Sequence, residues 1–343
     1  MTNHSTKTSH IIRTVTILGT GSYVPEQIVT NEELARTVDT SDRWIKEKLG
    51  ISERRIASVN QATSHLASEA ALRALRAAGI TPAEVELIIV ATATPDRPIP
   101  ATACIVQATL GAWNAAAFDL SAVCSGFLYA LSVGAHLIEA GAYRNVLLIG
   151  ADTFSRITNW QDRSCVFFGD GAGAVLLGKR DDEGGRWAID LYADGRGVAN
   201  FTIPAGGSAF PTSAATVTEG LNTFRMNGHA VFSAATTLLP AAIQKVLLRW
   251  AAKPDEVDVL IPHQPSINIL KLTAERIGIP FERILTNMDR YGNTAGASVP
   301  LLLDEANRSG KLRQDALVVL AAVGAGWTWA AAALRWDVAP SGT

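Results

Sequence analysis

The sequence predicts an α/β protein built from two copies of one unit, on three observations. First, short continuous apolar runs, read as strands, alternate with helical stretches, a pattern that calls for mainly parallel sheets covered by helices. Second, the order recurs. The run from Pro82 (PAEVELIIV) is echoed from Pro254 (PDEVDVLI), each after a helix rich in Ala, Leu and Arg, and Gly169–Gly178 (GDGAGAVLLG) is echoed by Val323–Trp336 (VGAGWTWAAAALRW). A repeat this long means two α/β units rather than a solenoid. Third, Ala116–Ala142 reads as a buried strand, Ala116–Ser121, followed by a helix with Phe127, Leu128, Leu131, Val133, Leu137 and Ile138 on every face. Such a helix belongs in the middle of a large domain.

In chain order, Ile11–Leu18 is a β-branched run ending in the turn Gly19-Thr20-Gly21. Thr30 or Asn31 caps a helix with acids in its first turn, and Ser41–Gly50 forms a second helix closed by glycine. Ser64–Ala78 is helical and stops at Gly79; Val85–Ala93 is an apolar strand bounded by Pro82 and Pro95. Thr102–Leu110 reads as a helix, Asn145–Gly150 as a strand, and Phe167–Gly178 as a strand pair around GDGAG.

The 343 residues, 48% hydrophobic and 18% charged, suit a globular protein of two units. A net charge of −2 and the lack of basic runs argue against nucleic acid or a membrane surface as partner. Three cysteines, Cys104, Cys124 and Cys165, show no CxxC spacing, so neither a disulfide framework nor a metal site is indicated, and a cytoplasmic home is expected. No signal core or apolar run long enough to span a membrane is read. Residues 1–10 and 337–343 are expected to be flexible tails.

Cys124 stands where strand turns into helix, with the small Ser125 and Gly126 behind it. A helix N-terminus favours thiolate, which makes Cys124 a candidate nucleophile; a buried small apolar residue is the other reading. Ligands on such sheets gather beyond the strands' carboxyl ends. His263 follows the strand Val257–Pro262 and is the histidine best placed to meet Cys124; Asn293 lies in a loop of small residues, DRYGNTAGAS, thirty residues on.

Together with SDRWIKEKLGI, AAFDLSAVCSGF, DRSCVFFGDGAGAV and GAGWTWAAA, this Cys–His–Asn order resembles the β-ketoacyl-acyl-carrier-protein synthase III family, from about Ile11 to Trp336. The resemblance implies the thiolase fold: an N-terminal half, 11–185, carrying Cys124, and a C-terminal half, 186–336, carrying His263 and Asn293, in an αβαβα layering. It implies that Cys124 takes an acyl group from acyl-CoA, and that His263 and Asn293 donate hydrogen bonds to a malonyl thioester as it loses carbon dioxide. The backbone amides of Cys124 and Ala325 would hold the oxyanion. The malonyl group could ride on CoA or on a carrier protein. CoA thioesters are substrates, and no cofactor or metal is implied. Trp44 and Arg163 would sandwich the adenine, Lys48 would meet a phosphate, and Gly228 would lie by the pantetheine arm. The family is homodimeric, and Ile99, in DRPIP, would reach across to the partner's acyl pocket.

The chain has no cysteine after Cys165 to serve as a thiolase base, and no matching glutamate base stands in the loop before Cys124. Decarboxylative condensation is therefore favoured over proton-abstracting chemistry. The alternative is a non-condensing acyltransferase that passes the acyl group from Cys124 to an oxygen or nitrogen acceptor; such relatives commonly carry Asp where this chain keeps Asn293. An inactive partner subunit is a third reading, against which the intact trio argues. Departures from the family pattern are His229 for Asn, Asn268 for Arg, Glu275-Arg276 for a lysine pair, Ser233 for Lys, Pro265-Ser266 for Ala-Asn, and Ala325 and Ala330 for glycines. Lost positive charge weakens attraction to an acidic carrier protein, and the departures point to a specialised, secondary-metabolic member.

Overall fold

A computed structural model describes residues 10–182 and 184–338. Two sheets share one plan. The first contains β1 (Val15–Tyr23), β4 (Leu87–Ala91), β5 (Ala116–Leu120), β6 (Asn145–Asp152) and β7 (Gly171–Lys179), in the order β1-β7-β6-β4-β5. The second contains β8 (Trp187–Ala193), β11 (Val259–Pro262), β12 (Leu317–Gly324) and β13 (Thr328–Arg335), in the order β11-β12-β13-β8. In each, the first strand pairs antiparallel with the last, the last antiparallel with its inner neighbour, and the next pairing is parallel. A bridge from Leu260 to Ile284 stands where the second sheet's fifth strand would be. The GDGAGAVLLG strand β7 and the WTWAAAALR strand β13 thus hold the same place in their sheets. Two ribbons complete the strands: β2 (Gln27–Thr30) with β3 (Glu53–Ile56), and β9 (Phe201–Thr202) with β10 (Arg225–Met226).

The helices of the first half are α1 (Asn31–Leu34), α2 (Asp42–Leu49), α3 (Thr63–Ala78), α4 (Thr102–Leu110) and α5 (Gly126–Glu139). Those of the second are α6 (Ala214–Thr218), α7 (Gly228–Trp250), α8 (Ile267–Ile277), α9 (Met288–Tyr291) and α10 (Ser298–Arg308). Helices α3 and α4 cover the outer face of the first sheet, and α7 and α8 that of the second. Between the sheets lie α5 and α10, packed into one core with strands from both. This middle layer explains why α5 is apolar nearly all round: both of its broad faces meet a sheet. The local signals are the ordinary ones. Ser41 caps α2, which ends at Gly50 with φ 80°, and Thr30 and Glu33 form a capping box on α1.

Four expectations are corrected. β5 is not buried; among the described residues it pairs only with β4, which leaves its other edge open, and Phe118 is 38% exposed. The Gly19–Gly21 turn is absent, because β1 runs on to Tyr23; glycine is needed there for close packing, since a Cβ at Gly21 would come within 2.3 Å of the Ala70 carbonyl on α3. GDGAG does not divide a strand pair: β7 is one strand, paired along its length with β1 and β6. Finally, α7, with 23 residues, is long and apolar enough to cross a membrane. It carries Pro240, Lys245 and Arg249 and packs against α8 and β13 as a core helix. Of the expected tails, 1–9 and 339–343 lie outside the described residues. Their inner ends are held: Arg249 donates to the His10 carbonyl, Arg180 pairs with Asp337, and Val338 packs on the core.

Candidate active site

Cys124, His263 and Asn293 come from the two halves and line the same cavity of about 290 Å³. All three are buried, whereas Lys48, on the same cavity wall, is exposed and Trp44 half-buried, so the cavity runs from solvent to the thiol. Its lining is dominated by apolar side chains, including Phe168, Phe201, Met226 and Phe232.

Each side chain is held by the middle layer. Cys124 sits in a tight turn, Val123–Ser125, that opens into α5. Val123 has φ 49°, a left-handed conformation that costs a β-branched residue about 1–3 kcal/mol and persists only where the surroundings enforce it. The turn's hydrogen bonds are made by the amides of Ser125 (to Ala122) and Gly126 (to Val123), so the Cys124 amide is not consumed by it. The end of β12 presses on that amide: a Cβ at Gly324 would lie 3.0 Å from the Cys124 nitrogen. Ala325 follows directly, in the turn beyond the last β12–β13 pair, Gly324–Thr328.

His263 leaves β11 with its own amide donating to Ala321 at 2.7 Å. Its Nδ1 lies 2.7 Å from Ser298 Oγ, and the Ser298 hydroxyl is 2.8 Å from the Ala295 carbonyl. A hydroxyl has one proton. Both contacts are satisfied when Ser298 donates to Ala295 and accepts from Nδ1–H, which leaves Nε2 of neutral His263 with a free lone pair. The same Ala295 residue holds Asn293, its amide donating to Oδ1 at 2.9 Å, so the Asn293 NH₂ group is the end left free to donate. Ala295 has φ 47°, and the next amide, Gly296, donates to Asp152 at 2.8 Å. Asp152, at the end of β6, also accepts from the amide of Ala93 and the hydroxyls of Thr92 and Thr94.

Burial dominates the electrostatics. It pushes His263 down to about 3, so the imidazole is neutral across the physiological range. It pushes the Cys124 thiol up, and the nearby Asp152 carboxylate adds to the effect. Burial and the Asp152 carboxylate thus oppose the thiolate that the helix terminus favours. Asp152 itself is pushed up to about 6 by burial, against the opposing amides of Ala93 and Gly296.

Gly228 lies on the cavity wall beside Trp44 and Lys48. Arg163 is stacked on Trp44, its guanidinium carbon 4.1 Å from the ring centroid, with no gap between them for a third plane. Ile99 does not line the cavity; it projects from the chain, 85% exposed. Asp170 accepts from the Ala57 and Ser155 amides and ties loops together away from the cavity. Asn268, one of the departures, donates to the Lys48 carbonyl at 2.9 Å and so joins α8 to α2. Ser298 and Asp152 were not read from the sequence. The small-residue loop hinted at close packing, but nothing local says that a serine reaches a histidine 35 residues away.

A thiol, an imidazole and an amide meeting where two repeated, layered halves join define this chain as a thiolase-fold enzyme of the acyltransferase class. The comparisons agree. Family models described as 3-oxoacyl-[acyl-carrier-protein] synthase III match residues 118–195, and their C-terminal counterpart matches 248–336. A beta-ketoacyl-[acyl-carrier-protein] synthase III from Caldanaerobacter subterraneus subsp. tengcongensis is 49% identical over 322 residues, 94% of this chain and 97% of the relative. The crystal structure of 3-oxoacyl-[acyl-carrier-protein] synthase III from Aquifex aeolicus VF5 superposes with a TM-score of 0.86 at 40% identity, covering 94% of this chain and all of that one. The priming beta-ketosynthase from the R1128 polyketide biosynthetic pathway does so at 0.87 and 32% identity, covering 95% and 98%. The chain belongs to the β-ketoacyl-[acyl-carrier-protein] synthase III family.

Proposed function

We propose that the protein condenses an acyl-CoA primer with a malonyl thioester, releasing carbon dioxide and a 3-ketoacyl thioester. The observation that carries this reading is the convergence of Cys124, His263 and Asn293 on the buried end of one apolar cavity that opens beside Trp44 and Lys48. In the first half-reaction the Cys124 sulfur attacks the thioester carbonyl and its proton passes to His263 Nε2. The tetrahedral oxygen is held by the Cys124 and Ala325 amides, and the proton leaves with the CoA sulfur as the carbon–sulfur bond breaks.

In the second half-reaction the malonyl carboxylate leaves as carbon dioxide, and its electron pair moves onto the thioester as an enolate. Asn293 Nδ2–H donates to the enolate oxygen. The turnover consumes one proton, which enters from solvent at His263 Nε2 as the anionic substrate raises the proton affinity of the imidazole, and it lets His263 donate beside Asn293. The enolate carbon attacks the acyl-Cys124 carbonyl, and the expelled thiolate recovers that proton from His263. The orientation of Asn293, with Oδ1 tied to Ala295, supports condensation over transfer to an oxygen or nitrogen acceptor, because the end left free is a donor suited to an enolate oxygen. Carbon dioxide release from a malonyl thioester by acyl-loaded enzyme tests the reading; an acyl adduct that resolves onto another acceptor without it would reject it.

Trp44, Lys48, Arg163 and Gly228 are proposed as CoA contacts, with the Trp44–Arg163 stack parting to admit the adenine. A homodimer is proposed on the open edge of β5 and on Ile99, which in a pair would reach the partner's acyl pocket. The specialised-pathway reading is supported by the use of Asn268 within the fold and of Arg276 as a donor to the Thr236 carbonyl, both at positions where carrier-docking cations were expected. The extender carrier is proposed to be CoA or a carrier protein, and the three free thiols support a reducing compartment.

A further inference from the structure

Resting on the condensing reading above, we infer that Asp152 is a positioning residue for the decarboxylating half-reaction: its carboxylate fastens the loop that carries Asn293 to the half of the chain that carries Cys124. Asp152 ends β6 and is fully buried. Its two oxygens serve different halves. Oδ1 accepts from the Thr92 hydroxyl at 3.1 Å, the Ala93 amide at 2.8 Å and the Thr94 hydroxyl at 2.9 Å, all just beyond β4. Oδ2 accepts from the Gly296 amide at 2.8 Å. The amide before it, of Ala295, donates to Asn293 Oδ1 at 2.9 Å. Two successive amides of one tight turn, Ala295–Ala297, thus hold the side chains of Asn293 and Asp152. Displacing Gly296 shifts the Ala295 amide with it, and the Asn293 donor moves. His263 is less exposed to that shift, because its partner Ser298 is the first residue of α10.

The turn lies backbone to backbone against the end of β6. A Cβ at Gly296 would come within 2.9 Å of Asp152 Oδ2, and one at Gly150 within 2.3 Å of the Gly296 carbonyl. Ala295 also holds φ 47°, a left-handed conformation that persists only where its surroundings enforce it. The bond that enforces it needs a carboxylate. Thr92 Oγ1 already accepts from the Thr94 amide, and Thr94 Oγ1 from the Thr153 amide, which directs both hydroxyl protons to Asp152 Oδ1. A side-chain amide in place of the carboxylate has one acceptor atom. With its oxygen on the three donors beyond β4, its NH₂ group faces the Gly296 N–H, and donor meets donor. Asp152→Asn is therefore close to isosteric, yet it releases the tie to the second half alone.

The test follows the two half-reactions of Asp152→Asn separately, with folding checked by circular dichroism. Carbon dioxide release from carboxyl-labelled malonyl-CoA or malonyl-carrier protein, by protein already acetylated on Cys124, is expected to fall about tenfold to a hundredfold, the scale of a donor misplaced by about an ångström. Acylation by acetyl-CoA is expected to rise about twofold or more, because the charge that opposes the thiolate is gone. Gly296→Ala, which pushes the turn off Oδ2 and keeps the charge, is expected to slow carbon dioxide release without that rise. A residue that merely supports the fold would slow both half-reactions together. Equal slowing of both by Asp152→Asn, or unchanged carbon dioxide release in either variant, would overturn the inference while leaving the condensing reading intact. No carbon dioxide from acetylated wild type with either thioester would overturn both.

Discussion

His263 Nδ1 and Ser298 Oγ are 2.7 Å apart in the buried layer between the sheets, and that contact decides which face of the imidazole looks into the cavity. With Nδ1–H committed to Ser298, Nε2 is free to accept the Cys124 proton. Ser298→Ala releases the ring to either tautomer and leaves a buried polar atom unpaired. Acylation of Cys124 by acetyl-CoA should slow by about tenfold to a hundredfold, and unfolding stability should fall by about 1–3 kcal/mol. Ser298→Thr should recover most of the rate. Stopped-time mass spectrometry and urea melts measure the two effects separately.

Asn293→Asp should keep acylation, because Cys124 and the oxyanion amides are untouched, while removing the donor that meets the enolate. Carbon dioxide release should fall by about a hundredfold to a thousandfold, the scale of a lost oxyanion donor. Radiolabelled malonyl thioester provides the readout, and an unchanged release rate would remove Asn293 from the decarboxylation step.

Burial and the Asp152 carboxylate both push the Cys124 thiol up. Alkylation of Cys124 by iodoacetamide should therefore be slow at pH 7 and should still be rising with pH above the ordinary thiol range. Asp152→Asn removes the repelling charge and should speed alkylation at pH 8. A wild-type alkylation profile that levels off near neutral pH would mean a resting thiolate.

Buried His263 and Asp152 couple stability to pH with opposite signs. His263 is held to about 3 when folded against an ordinary 6.5, so the unfolded chain binds the extra proton. Its contribution is full above the ordinary value and is lost as pH falls toward 3. Asp152, raised to about 6 from 3.8, binds its proton more tightly when folded; its contribution is full below 3.8 and is lost as pH rises through 6. His263→Gln keeps only the second dependence. The stability advantage of wild type over this variant should shrink between pH 7 and pH 4, which urea midpoints at both values would reveal.

Trp44→Ala should weaken acyl-CoA binding by about fivefold to thirtyfold, the worth of a desolvated cation–π plane, and should act on KM more than on kcat. Initial rates over a range of acetyl-CoA concentrations separate the two parameters.

Much of the framework was legible because its signals are local. The caps Ser41 and Gly50 bound α2 as read, β4 is the apolar run LIIVA, and α5 is apolar on the faces that meet the two sheets. Cys124 and His263 were legible as residues that follow strands in matching halves. The misread places depend on neighbours far along the chain. β5 looks buried because its composition is apolar, but among the described residues no strand covers its outer edge. Gly19 and Gly21 looked like a turn although they make room for α3. The helix terminus beside Cys124 favours a thiolate, and the burial and Asp152 carboxylate that oppose it come from residues far along the chain. Phe154, Phe168, Phe201 and Phe224 are scattered over seventy residues with no shared period, so their ring contacts exist only in three dimensions.

The most direct measurement follows carboxyl-labelled malonyl thioester added to protein already acetylated on Cys124. The account predicts that labelled carbon dioxide, loss of the Cys124 adduct and a 3-ketoacyl product appear together in roughly equal amounts, since each turnover consumes one acyl-enzyme. Loss of the adduct without carbon dioxide, or carbon dioxide without consumption of the adduct, would contradict it.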